Sequence, residues 1–99
     1  MRLSEEAREA ILETVRAECG DGAETRLFGS RLNDSARGGD VDLHVLLKQS
    51  LPNPAWSAAL LAAKIERRLG GRKVDVRLLT PQMERQSIDA VAMEEGVRL

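Results

Sequence analysis

The chain has 99 residues, of which 42% are hydrophobic and 31% charged, with a formal net charge of −1. That balance belongs to a folded chain, and the length predicts one domain spanning residues 1–99, with no room for a second. Acids and bases are interspersed, so no general attraction to nucleic acid is expected, and with Phe28 and Trp56 as the only Phe, Tyr or Trp residues a base-stacking platform is not expected either.

No apolar run approaches the roughly 18 residues of a membrane span, and no charged start leads into an apolar stretch with a cleavage site. The lone Cys19 makes neither an internal disulfide nor a zinc cluster. The expected location is cytoplasmic.

In chain order, residues 4–18 read as a helix. Ser4 is its N-cap, Glu5 and Glu6 suit the positive end of the helix dipole, and Gly20 and Gly22 stop it. Ala7, Ala10, Ile11, Thr14 and Val15 mark one face at helical spacing. Residues 23–28 predict a short strand ending on Gly29, and 30–39 a polar turn. Residues 41–47 alternate Val41, Leu43, Val45 and Leu47 with polar positions, the period-2 pattern of a strand with one buried face. Lys48 to Pro54 form a loop. Asn53-Pro54 starts a second helix that runs to about Leu69, with Ala58, Leu61, Ala62, Ile65 and Leu69 along one stripe and Trp56 expected in the core or an interface. Gly70-Gly71 ends it after Arg67 and Arg68. Residues 73–79 predict a third strand, and Thr80-Pro81 the start of a last helix to about Glu94 with Met83, Ile88, Val91 and Ala92 as its apolar face. Val97, Arg98 and Leu99 are expected as a short edge strand or a contact with a partner.

The chemistry concentrates between residues 29 and 44. Gly29-Ser30 closes one strand, nine residues intervene, and Asp40 and Asp42 open the next. Alternation sends Asp40, Asp42 and His44 to one face, with neighbouring positions of that face roughly 6.5–7 Å apart at the Cα level. If the third strand shares the same core, Asp75 joins them, with Arg77 beside it. Three carboxylates on one sheet face repel each other unless the site is wet or divalent cations neutralise it, and oxygen-only ligation selects Mg²⁺ or Mn²⁺. The Gly29-Ser30 turn offers backbone N–H groups, a hydroxyl and close approach, which phosphates need. Together these predict two-metal phosphoryl or nucleotidyl transfer. Asp40, Asp42 and Asp75 are ligands and catalytic groups, and Gly29, Ser30 and Arg31 hold the nucleotide's phosphates. His44 reads as a packed or solvated strand residue, and Arg77 as a substrate contact or the partner of an acid.

G-S-R, a short polar loop, D-V-D-L-H-V, the strand K-V-D-V-R and the ending E-E-G-V-R-L resemble the minimal nucleotidyltransferase family, the smallest members of the DNA polymerase β-like nucleotidyltransferase fold. The resemblance spans essentially the whole chain in element order. It implies an α+β domain with a small mixed sheet and helices packed on one face, Gly29 and Ser30 as the phosphate turn, and Asp40, Asp42 and Asp75 as the metal triad. It also implies an antitoxin paired with a helical HEPN ribonuclease toxin, acting by Mg²⁺-dependent transfer of AMP from ATP to a toxin tyrosine. The competing expectation is a non-catalytic antitoxin that masks its toxin. Transfer to a small molecule, as in antibiotic nucleotidyltransferases, is disfavoured because those proteins carry a further substrate-binding domain. A chain this short builds one shallow site, so a partner or a second copy is expected to supply the other surface.

Overall fold

The computed structural model describes residues 3–29 and 41–99. Its elements run α1 (Glu5–Cys19), β1 (Glu24–Phe28), β2 (Val41–Leu46), α2 (Pro54–Arg68), β3 (Val74–Leu79), α3 (Ser87–Glu95) and β4 (Val97–Arg98). The strands form one mixed sheet in the order β3-β2-β1-β4. β1 is antiparallel to both β2 and β4, whereas β2 and β3 are parallel. A parallel pair needs a crossover, and α2 supplies it.

Local chemistry sets the helix ends. The Ser4 hydroxyl accepts from the Ala7 N–H at 3.1 Å, and the Gly20 N–H closes α1 on the Arg16 carbonyl at 3.0 Å. In α2 the Asn53 side-chain oxygen accepts from the Trp56 N–H at 3.1 Å, with Pro54 in the first turn. Both helices lay their apolar stripes on one sheet face. Ile11, Val15, Leu61 and Ile65 meet Leu27, Val41, Leu43, Val45, Val74 and Leu78 in a single core. Each such side chain, fully buried, contributes about 1.5–3 kcal/mol.

One expectation is narrowed and one corrected. Trp56 lies outside the core, 65% exposed, because the α2 stripe that meets the sheet runs through Leu61 and Ile65; of the two places expected for it, an interface is the one left. The last helix begins at Ser87 rather than at Thr80-Pro81. The Thr80 carbonyl closes only one turn, on the Met83 N–H at 3.0 Å. The Gln82 amide is committed elsewhere, accepting from the Leu51 N–H at 3.1 Å and donating to the Leu51 carbonyl at 2.5 Å. The cap forms later, where the Asp89 carboxylate accepts from the Gln86 N–H at 2.8 Å. The apolar face expected for this helix is largely outward: Ile88 and Val91 are exposed, and Ala92 is buried.

β4 completes the sheet as an edge strand. Val97 pairs with Leu27 and Arg98 with Arg26, and the Leu99 N–H reaches the Thr25 carbonyl at 3.0 Å.

Candidate functional site

Because Val41, Leu43 and Val45 face the core, Asp42 and His44 occupy the opposite side of β2. The same alternation in β3 puts Asp75 and Arg77 there. The parallel register then makes Asp42 the direct partner of Asp75 and His44 the partner of Arg77. Phe28 of β1 flanks Asp42 from the other edge. Adjacent strands are about 4.8 Å apart, so the two carboxyl groups spring from neighbouring points. Like charges directly across a strand pair are destabilising, and a cation between them would offset part of that repulsion.

The turn at Gly29 meets this pair. Gly29 has φ +78°, and a Cβ built on it would lie 2.5 Å from Asp42 Oδ2. The Asp42 carboxylate thus rests against the turn in space that only glycine leaves open. Gly29, Asp42 and Asp75 are therefore one cluster, with Asp42 half-buried and Asp75 exposed. Ser30, Arg31 and Asp40 lie outside the described residues. Among the described residues, no three His, Cys, Asp or Glu side chains gather closely enough to hold a metal ion. The all-oxygen pair of Asp42 and Asp75 nonetheless suits a hard divalent cation whose shell is completed by substrate oxygens and further ligands.

One step along the same face the charge reverses. Arg98, Arg26, His44 and Arg77 form a row across all four strands. Glu24 neutralises one end, meeting Arg26 at 3.2 Å and Arg98 at 3.7 Å. Asp89 of α3 neutralises the other. It is buried, as is His44, and its Oδ1 accepts from His44 Nε2 at 2.8 Å and from Arg77 Nε at 3.0 Å. Its Oδ2 accepts from Arg77 Nη2 at 2.8 Å as well as from the Gln86 N–H. The Arg77 guanidinium holds the Asp89 carboxyl well below the usual carboxylate range; burial opposes this, and the Gln86 N–H and the His44 ring reinforce it. The bare carboxylate assigns the ring proton to Nε2. His44 Nδ1 is buried and has no hydrogen-bond partner among the described residues, and the ring sits edge-on to Phe28 with centroids 6.4 Å apart.

Sequence reasoning left Arg77 between substrate and an acid; the structure gives it an acid, Asp89. That residue was missed because its helix was read only for Met83, Ile88, Val91 and Ala92. The available signal was a face carrying His44 and Arg77 with no assigned counter-charge.

No protein-family model matches the chain, and no curated protein matches it in sequence. Solved structures do. One is a chain of a mutant MntA–HpeT toxin–antitoxin, 23% identical, with a TM-score of 0.66, covering 93% of this chain and 69% of that one. Another is a chain of a toxin–antitoxin with AMP-PNP, also 23% identical, with a TM-score of 0.67, covering 91% of this chain and 69% of that one. What these likenesses establish is the fold: the chain is an α+β protein, with a four-stranded mixed sheet and three helices among the described residues, and it shares its fold with these toxin–antitoxin chains.

Proposed function

We propose that the chain is a minimal nucleotidyltransferase acting as an antitoxin, which transfers AMP from ATP to a protein hydroxyl on its partner toxin. The toxin is of the HEPN type and the acceptor a tyrosine. The observation that carries this reading is the Asp42–Asp75 pair, in register on parallel strands with the Asp42 carboxylate seated against Gly29. The toxin–antitoxin neighbours, one with AMP-PNP, support it.

Asp42 and Asp75, with Asp40, are the side chains to hold Mg²⁺ or Mn²⁺. When bound, such ions neutralise the triphosphate and acidify the attacking hydroxyl. Gly29, Ser30 and Arg31 fix the outer phosphates. Asp75, exposed on β3, faces the acceptor and orients it for in-line attack on the α-phosphorus. A new oxygen–phosphorus bond forms, the bond to the bridging α–β oxygen breaks, pyrophosphate departs, and the hydroxyl proton passes to Asp75 or water. The remainder of the pocket comes from the toxin.

The test is the intact mass of the co-purified toxin after incubation with ATP and Mg²⁺. An added AMP that disappears with Asp42→Asn or Asp75→Asn is the expected result. Full neutralisation by both variants with no mass change would replace catalysis with masking.

A further inference from the structure

Residues 54–63 of α2 carry no charge, and its bases follow at Lys64, Arg67 and Arg68. Lys64 and Arg68 turn to α1, meeting Glu18 at 2.6 Å and Glu13 at 3.0 Å. Arg67 is exposed and makes no ion pair among the described residues. At 3.6 residues per turn, Trp56, Leu60, Ala63 and Arg67 fall on one outward stripe with Ala59 at its margin, opposite the buried Leu61 and Ile65. An indole and a guanidinium thus stand at the two ends of a face whose middle is aliphatic. That face complements itself when two copies of α2 run antiparallel about a twofold axis between residues 59 and 60. Trp56 then lies over the second copy's Ala63, and Leu60 over its Ala59, so large meets small at both places. Side chains on a helix lean toward its N-terminus, so Arg67 reaches back over the turn carrying Ala63 and closes on the indole seated there. The bases of each helix face the uncharged half of the other, whereas a parallel pair would set them against their own copies.

We propose that the chain forms a twofold dimer through α2, with Trp56 of each copy seated on Ala63 of the other beneath Arg67. One helix pair covers less than the roughly 800 Å² per partner of a stable complex, so the dimer is weak, with a dissociation constant on the order of 100 µM. The C-terminal end of α2 leads through Gly70 and Gly71 into β3, which carries Asp75. Antiparallel pairing therefore puts the two acid clusters at opposite ends of the dimer, each clear of the contact. The acid cluster plays no part in this contact, which goes beyond the transferase reading.

Trp56 is the only Trp and the chain has no Tyr, so intrinsic emission reads this one side chain. The experiment follows that emission and the sedimentation of the whole chain from about 1 µM to about 1 mM. The expected result is a shift to shorter wavelength in step with a rise from monomer to dimer mass, the chain being monomeric near the lower limit. Arg67→Ala should weaken the dimer roughly fivefold, and Arg67→Lys, which keeps a cation, only about twofold. Ala63→Glu, which fills the seat of the indole, should weaken it at least about tenfold. Val91→Glu, on the exposed apolar face of α3, should dimerise within about twofold of the native chain. A chain still monomeric at about 1 mM overturns the proposal, as does a dimer indifferent to Arg67→Ala and Ala63→Glu. A dimer lost in Val91→Glu moves the contact to α3 and overturns it as well. An emission shift that only the co-purified toxin produces assigns the face to the toxin, which also overturns it.

Discussion

Gly29→Ala separates the demands of the backbone from those of the site. At φ +78° an alanine is strained by about 1–2 kcal/mol. Gly70 provides the control, since its φ is +73° and an added Cβ meets nothing within 4 Å. Gly70→Ala should therefore carry the backbone penalty alone, lowering Tm by roughly 5–10 °C for a domain of this size. At Gly29 the new Cβ also falls 2.5 Å from Asp42 Oδ2, about 0.9 Å inside the 3.4 Å where ordinary contact begins. The carboxylate is the end of a half-buried side chain and can rotate aside, so Gly29→Ala should melt within about 1 kcal/mol of Gly70→Ala. The cost then falls on binding. Calorimetric titration of ATP with Mg²⁺ should show at least about a tenfold loss in Gly29→Ala and none in Gly70→Ala, or about 1.4 kcal/mol of displaced coordination. Native-like nucleotide affinity in Gly29→Ala would refute the idea that this close approach shapes the site.

The remaining expectations concern α3 and the outer surface. Asp89 has a folded-state pKa below its unfolded value, so its stabilisation is complete above the unfolded carboxylate value of about 3.9 and fades as pH falls toward the native value. Urea midpoints of the native chain and Asp89→Asn should accordingly differ most at neutral pH and converge below about pH 4; parallel curves from pH 7 to 3 would contradict this. Trp56→Ala should change stability by no more than about 0.5 kcal/mol, since the side chain is 65% exposed. A denaturation midpoint shifted by several times that amount would place the indole in a packed environment.

The parts of the fold that could be read from residues are those governed by short-range rules. Caps at Ser4 and Asn53 located two helices, and alternation through Val41, Leu43 and Val45 and through Val74, Val76 and Leu78 gave two strands and the facing of Asp42 and Asp75. Their register was not readable, because it follows from a ladder between residues far apart in the chain. α3 was misplaced for a related reason. Thr80-Pro81 has the right local signature, but Gln82 is bound to Leu51 and the effective cap is the distant-looking Asp89. Likewise the periodicity of Ile88 and Val91 suggested an apolar seat, whereas this helix is anchored by a carboxylate between an imidazole and a guanidinium. In α3, long-range hydrogen bonding and charge pairing overrode local pattern.

The parallel pairing of β2 with β3 has a consequence for when the proposed cation site can form. The two acids sit on strands divided by the entire α2 crossover, so no hairpin, helix or other local fragment contains both. Such pairings close late, after the entropy of a long loop has been overcome. On the proposed reading, an ion coordinated by both residues would recognise only the finished molecule. At one hundred times its dissociation constant it would add about 2.7 kcal/mol to that state alone, so the cation would favour complete assembly over every partly folded form.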